Sequence, residues 1–301
     1  MLYLVATIGL VAVFGVPYQR DLVALWLLLG LLCFSLSDLR GYARGLVLDW
    51  LPFLGILVAY DSLRGTAGRL FGVHYLPQLQ VDQWLFGGTV PTVTLQHWLW
   101  PGHVVWYVVI LWAIYLTHFF ATPVLATVLW KIDRERFRRF AVRIATLSFL
   151  GLVTYALYPA APPWMASKAH LIAPVTRIPP QVLLGLHTQS AGSIVEHGYS
   201  FANDVAAVPS LHAALSLLVA ITLWPRKHKW LRPLVALYPL AMGFTLVFSA
   251  EHYVSDVLIG WVYTLAALVV ARALLRWWQG RVWAIRPVLV PEPAGRLKVE
   301  A

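Results

Sequence analysis

Two short sequences carry ionisable side chains that could do chemistry: VPSLHAA at 208–214 and EHYVSD at 251–256. In the second, His252 and Asp256 are four residues apart, so on a helix they share one face. Asp256 can then accept a hydrogen bond from one ring nitrogen of His252, which fixes the tautomer and raises the basicity of the other nitrogen. The spacing therefore predicts an activated imidazole nucleophile.

The first sequence is typical of a helix start that binds an anion. Pro209 suits the first turn of a helix, and Ser210 suits its beginning. Free backbone N–H groups and the helix dipole make such a start an anion site. We therefore expect Ser210 to help bind the anion and His212, in the first turn, to face it.

Both motifs also have purely structural interpretations. A histidine in a membrane helix is often a satisfied helix–helix contact, and a His/Asp pair one turn apart can be a buried hydrogen bond. Function is favoured because both motifs begin apolar segments at the same predicted membrane face, where ionisable groups are costly to keep. His212, His252 and Asp256 could also bind zinc, but no HExxH pattern supports this. We expect no metal and no cofactor.

Membrane-spanning helices must position these residues. Of the 301 residues, 60% are hydrophobic and 12% are charged, about half the charged fraction of a soluble domain. Apolar runs of roughly 18 residues recur along the chain. We predict an all-α, polytopic membrane helical bundle, and the first apolar run is interpreted as a span because it lacks the basic start of a signal peptide. The predicted spans are eight: 2–18, 22–37, 46–62, 103–130, 137–158, 207–224, 231–249 and 253–275.

Basic residues predict the orientation of these spans. They cluster at 40–44, 131–139, 226–232 and 272–286, all on one side of an eight-span arrangement. The positive-inside rule places that side, with both termini, in the cytoplasm. The two motifs then face the extracytoplasmic side of the cell membrane. These loops and anionic lipid headgroups account for the net charge of +10, so we expect no nucleic acid partner.

PSLHAA followed by HYVSD resembles the type 2 phosphatidic acid phosphatase (lipid phosphate phosphatase) superfamily, whose pattern is KxxxxxxRP, PSGH and SRxxxxxHxxxD. The resemblance implies that His252 attacks phosphorus to form a phosphohistidine and that Asp256 orients it. It also implies that His212 protonates the leaving oxygen and then activates the acceptor. A six-helix catalytic core is implied over 46–275, after two extra transmembrane helices in 1–45 and before a basic cytoplasmic tail in 276–301.

The chain departs from that pattern at three places. Leu211 replaces the glycine of PSGH, Thr245 and Leu246 occupy the SR positions, and YPAAPPW at 158–164 stands where KxxxxxxRP is expected. These departures resemble the branch with fungal inositol phosphorylceramide synthases and their bacterial relatives. That branch implies transfer of a phosphoinositol-type headgroup from a phospholipid donor to a lipid acceptor. The alternatives are a phosphatase acting on phosphatidate or polyprenyl diphosphate, and a lipid transporter or catalytically inactive lipid-binding protein.

A phosphoryl transition state concentrates negative charge and needs cations, which the missing motif residues do not supply. The best substitute is Arg64 in YDSLR, with Tyr60 and Asp61 beside it, and Arg69 and Lys168 are weaker candidates. Arg64 could instead be an interfacial anchor. Asn203 and Asp204 precede the PSLH helix and either cap it or contact a headgroup.

Several further polar or aromatic residues are expected to be structural. Asp49 is predicted to pair within the bundle, with Arg44 as its candidate partner, and Trp164 is predicted to be an interfacial aromatic or to line the lipid entrance. The remaining histidines in this group have no partner at a useful spacing and are treated as interface or loop residues: His97, His103, His118, His170, His187 and His197.

Overall fold

The computed structural model describes residues 7, 9, 20–33, 36, 38–67, 71–185 and 203–284. Its regular structure is helical, with isolated β-bridges only, over these residues. The helices are α1 (Arg20–Cys33), α2 (Leu39–Gly45), α3 (Leu51–Ala67), α4 (Leu76–Leu85), α5 (Pro91–Leu99), α6 (Trp106–Ile132), α7 (Arg134–Leu157), α8 (Pro163–Lys168), α9 (Ile178–Gly185), α10 (Leu211–Leu223), α11 (Arg232–Phe248) and α12 (Val254–Ala284).

Five of the described helical stretches are long and apolar enough to cross a bilayer: Leu39–Tyr60, Trp106–Ile132, Arg134–Leu157, Lys229–Phe248 and Val254–Trp278. They correspond to the third, fourth, fifth, seventh and eighth predicted spans, which confirms a membrane helical bundle. The predicted second and sixth spans correspond to α1 and α10, with 14 and 13 residues. Almost all of the predicted first span lies outside the described residues, so the count of eight stays a prediction.

The third span begins earlier than expected. A π-helical turn, Leu46–Trp50, joins α2 to α3, so helical backbone runs from Leu39 onward. Arg40 and Arg44, predicted to lie in a loop, are therefore on the helix itself. The Asp38 side chain starts this helix by accepting a hydrogen bond from Gly41 N at 2.8 Å. Such a cap satisfies an amide that has no partner within the helix.

One end of the bundle is closed by an aromatic and ionic cluster. Trp50, Phe53, Trp130 and Phe137 pack edge-to-face or tilted in the main hydrophobic core. Asp49 accepts hydrogen bonds here from Trp130 Nε1, Arg134 Nη1 and Arg138 Nε, at 3.0–3.1 Å. The predicted partner Arg44 was wrong, because α7 brings two arginines to Asp49 from a distant part of the sequence.

At the opposite end, loops rather than helix termini fill the bundle. α10 has 13 residues, about 20 Å of helix, which is shorter than the ~30 Å hydrocarbon layer. The proline-rich segment 158–164 lies between the segment that contains His74 and the segment that contains Val205. His74 N bonds to Pro159 O at 2.8 Å, and Ala160 N bonds to Val205 O at 2.7 Å. This layer sets where α10 begins.

Candidate active site

The starts of α10 and α12 meet beneath this loop layer, which brings His212, His252 and Asp256 together. Ser210 N donates to Asp256 O at 3.2 Å, so the two helix starts are joined through the backbone. The imidazole centroids of His212 and His252 are 6.0 Å apart. Since catalytic hydrogen bonds span about 2.6–3.2 Å, a tetrahedral group between the two rings can contact both.

His252 and Asp256 are in contact as predicted, although His252 lies two residues before α12 and not on its face. His252 Nδ1 lies 3.5 Å from Asp256 Oδ2, and the Asp256 carboxyl is fully buried. The same oxygen accepts a hydrogen bond from Tyr253 N at 2.9 Å. At 3.5 Å the side-chain contact is long for a hydrogen bond, as catalytic contacts often are without substrate. Because Nδ1 faces the carboxyl group, Nε2 is the ring nitrogen left for a substrate.

Ser210 has the N-cap position of α10. Its Oγ accepts a hydrogen bond from Ala213 N at 3.3 Å, and the residue is fully buried. Its carbonyl oxygen lies directly against Gly260 of α12, where an added Cβ would collide with it. This close approach of two helices requires glycine, and it holds the start of α10 beside the first two turns of α12.

His118 of α6 contacts His212, a partner that the sequence did not indicate. Their ring centroids are 3.8 Å apart, and Tyr115 stacks on His212 with centroids 4.9 Å apart. His118 is buried at 8% exposure. The expectation that it is only an interface or loop residue was therefore wrong. No local spacing links it to the PSLH sequence, so only the packing of α6 against α10 shows the contact.

Asp82 of α4 is the second missed residue. Its two carboxyl oxygens accept hydrogen bonds from Val254 N and Ser255 N, each at 2.9 Å, and it is fully buried. Burial raises the pKa of Asp82, while these backbone hydrogen bonds, chiefly that from Ser255, act to lower it. Asp82, on a helix outside the candidate membrane spans, thus reaches the first turn of α12.

Arg177 is the third missed residue. It pairs with Glu251, which directly precedes His252 in the sequence. Its Nε donates to Glu251 Oε1 at 2.8 Å, and its Nη1 lies 3.5 Å from Asp204 Oδ1. Arg177 and Lys168 both lie over the Trp164 ring, at 4.5 and 4.7 Å from its centroid. Trp164 is 8% exposed, so the expectation of an interfacial aromatic was wrong.

The predicted headgroup residues fall into two groups. Tyr60 is buried against Leu152 and Tyr155, in a cluster that includes Leu211, and Asn203 Oδ1 accepts a hydrogen bond from Val205 N at 3.1 Å. The side chains of three further candidates lie outside the described residues: Asp61 and Arg64, which are on α3, and Arg69. The same holds for His187 and His197, which were expected to be interface or loop residues.

Two tyrosines at the edge of the site have perturbed ionisation. Burial raises the pKa of Tyr253, and the nearby Asp256 and Asp82 raise it further. Burial likewise raises the pKa of Tyr158 in the proline-rich segment, while a hydrogen bond with Gln78 acts to lower it. Both phenols therefore stay neutral at physiological pH.

The zinc alternative finds no support in the described part of the chain, where no three His, Cys, Asp or Glu side chains cluster as metal ligands. The site instead offers two imidazoles, one of them in contact with a buried carboxyl group. Such a pair can attack an electrophile from one side and exchange a proton on the other.

Comparison with known proteins identifies relatives of this site. The family model described as the PAP2 superfamily matches residues 79–270, which include all three central residues. A curated relative, the phosphoinositol dihydroceramide synthase of Bacteroides thetaiotaomicron, is 34% identical over 137 residues, which are 44% of this chain and 44% of the relative. The chain therefore matches less than half the length of that relative. No solved structure matches the chain.

Proposed function

The chain belongs to the PAP2 superfamily, and from this premise we propose that it is a membrane lipid phosphotransferase. It moves a phosphoinositol-like headgroup from a phospholipid to a lipid alcohol through a phosphohistidine-type intermediate. The observation that carries the proposal is the meeting of His212 and His252, 6.0 Å apart, with Asp256 behind His252. The name of the bacterial relative supports the choice of headgroup and acceptor.

In the first proposed step, His252 Nε2 attacks the phosphorus of the donor phosphodiester. The P–N bond forms as the bond from phosphorus to the diacylglycerol oxygen breaks. Asp256 stabilises the positive charge that develops on the His252 ring, through the Nδ1 contact. His212 gives its proton to the departing oxygen, so diacylglycerol leaves as a neutral alcohol.

In the second step, His212 is neutral and takes the proton from the hydroxyl group of the acceptor. The acceptor oxygen bonds to phosphorus, the P–N bond breaks, and both histidines return to their starting states. Transfer rather than hydrolysis requires that the alcohol enters while water is excluded. Polar loops and helix starts buried beneath the layer at 158–164 are consistent with such a closed site.

Cations must balance the charge of the phosphoryl group in both steps. We propose Arg64 for this role, because its helix α3 places Tyr60 against the cluster that contains Leu211. Arg177 is an additional candidate, since its guanidinium group pairs with Glu251, the residue before His252. If either arginine has this role, its replacement by alanine (Arg64→Ala or Arg177→Ala) should lower turnover far more than it lowers the amount of folded protein. Activity that survives Arg64→Ala removes Arg64 from the mechanism.

The proposed location is the extracytoplasmic side of the cell membrane. The site lies at the starts of α10 and α12. The basic segments lie at the other ends of the helices: 131–139 contains the end of α6 and the start of α7, and 226–232 lies between the end of α10 and the start of α11. The positive-inside rule places those segments in the cytoplasm. We expect phospholipid donor and lipid acceptor to reach the site from the surrounding bilayer, with no nucleic acid partner.

The test is incubation of purified wild-type and His252→Ala protein with labelled phospholipids and N-acyl sphinganine, followed by lipid mass spectrometry. A new phosphodiester lipid and free diacylglycerol support the transferase. Release of inorganic phosphate from phosphatidate or polyprenyl diphosphate indicates the phosphatase instead. No conversion of any lipid favours a transporter or inactive lipid-binding protein. Full turnover by His252→Ala contradicts the nucleophile assignment, and loss of activity with a chelator contradicts a metal-free mechanism.

A further inference from the structure

Asp82 fixes the backbone between two residues of the candidate active site. Val254 N donates to its Oδ2 and Ser255 N to its Oδ1, both at 2.9 Å, although the residues are 172 and 173 positions apart. These amides belong to the first turn of α12, which has no earlier turn to accept their hydrogen bonds. A carboxylate at this place also interacts favourably with the positive end of the helix dipole.

Two carboxyl groups share three consecutive amides at this turn. Asp256 Oδ2 accepts the hydrogen bond of Tyr253 N, and Asp82 accepts those of Val254 and Ser255. These amides lie between His252 and Asp256. The arrangement therefore sets the backbone that determines how closely His252 Nδ1 approaches Asp256.

The helix that carries Asp82 is itself anchored. Leu79 of α4 packs with Val90 and Tyr253 in one buried cluster, and Gln78 O accepts a 3.5 Å contact from Ser255 Oγ. Gln78 on the same helix is buried, at 4% exposure. Because α4 packs against the start of α12 through these residues, the Asp82 carboxylate can act as a fixed support for that helix.

We propose that Asp82 is a positioning residue for His252, acting through the first turn of α12. This role rests on the proposed function, in which His252 is the nucleophile. Asp82 holds the turn in the geometry that presents Nε2 to phosphorus, and its negative charge favours the positive charge that develops on the His252 ring during attack. α4, outside the candidate membrane spans, is thereby part of the catalytic unit.

The test compares Asp82→Asn, Asp82→Ala and Asp82→Glu with wild type. The matched control is Asp133→Asn, since Asp133 caps α7 at the opposite end of the bundle by accepting a hydrogen bond from Arg136 N at 3.0 Å. Hydrogen exchange by mass spectrometry follows the peptide 252–258. Values of kcat and KM are measured with phosphatidylinositol and fluorescent N-acyl sphinganine in mixed micelles.

In Asp82→Asn, the backbone amide hydrogens of the peptide 252–258 should exchange faster than in wild type. Its kcat should fall about 10- to 100-fold with little change in KM, which is the range seen when residues that orient metal ligands are replaced. The other charged groups around His252 are unchanged in this variant: Asp256 on α12, Glu251 before it, and Arg177 paired with Glu251.

Asp82→Glu should recover part of the lost kcat, and Asp133→Asn should match wild type in all three measurements. Unchanged exchange at 252–258 in Asp82→Ala would overturn the inference. Faster exchange with unchanged kcat would also overturn it, because the residue would then only stabilise the fold. Wild-type protein that converts no probe would contradict the proposed function instead, while the exchange data still decide whether Asp82 fixes the turn.

Discussion

Replacement of Asp49 should destabilise the bundle while leaving the site at its other end intact. The Asp49 side chain is 3% exposed and accepts hydrogen bonds from Trp130 Nε1 at 3.1 Å and from Arg134 and Arg138 at 3.0 Å each. It joins the third span to α6 and α7. Asp49→Ala removes all three bonds at once.

The three bonds contribute unequally because their donors differ in exposure. The side chains of Arg134 and Arg138 are 44% and 56% exposed, so water screens them, and each pair contributes about 0.2–1 kcal/mol. Trp130 is 1% exposed, and loss of its acceptor leaves a buried donor unsatisfied at a cost of about 1–3 kcal/mol. Asp49→Ala should therefore cost about 1.5–5 kcal/mol, and Asp49→Asn, which keeps one acceptor oxygen, should fall at the lower end.

Thermal unfolding of the purified protein in detergent measures this loss, which should lower Tm by about 3–10 °C. The control is Glu135→Ala, which removes the exposed 3.0 Å pair with Arg139 and should cost less than about 0.5 kcal/mol. Turnover per folded molecule should match wild type in both variants. An Asp49→Ala protein that melts with wild type, or no earlier than Glu135→Ala does, would refute the assignment of the stability to the buried Trp130 donor.

Three further substitutions test the site. Asp256→Asn should lower kcat by about 10³–10⁴-fold at unchanged Tm, because an amide does not hold the His252 tautomer as a carboxylate does; equal turnover would exclude the orienting role. Gly260→Ala should cost about 1–3 kcal/mol, since its Cβ meets the Ser210 carbonyl oxygen. Gly55→Ala, at an open position on α3, should melt no earlier than wild type, because alanine is the better helix former. His118→Phe keeps a ring against His212 but removes its nitrogens. Turnover should then fall with little change in Tm, because His212 loses a polar ring that contacts it; unchanged turnover would contradict a role of His118 in the site.

Local sequence was sufficient for the features that depend on near neighbours. Apolar runs predicted the long spans, since a bilayer sets their length directly. The spacing of His252 and Asp256 predicted a shared helix face, and Ser210 predicted an N-cap, because both follow from the geometry of one turn. The structure shows the long spans and the N-cap. It brings His252 against Asp256 from the segment just before α12, not from a shared helix face.

The supporting residues could not be found in this way. Asp82 is a polar position in the sequence LPQLQVDQWL, and nothing local distinguishes it from an exposed side chain. His118 is one polar residue among the threonines and apolar side chains of its span, and the partners of Asp49 lie on other helices. Their roles arise only when helices from distant parts of the chain pack together.

The sequence by itself thus determined the bundle and the candidate reacting groups, His212, His252 and Asp256. Tertiary structure decided what holds them: Asp82 on the first turn of α12, His118 against His212, and Gly260 under Ser210. The physical reason is the distance along the sequence over which each effect acts. Helix periodicity and capping act within a few residues, whereas the burial of a carboxyl group or the contact of two rings depends on which surfaces the whole fold brings together.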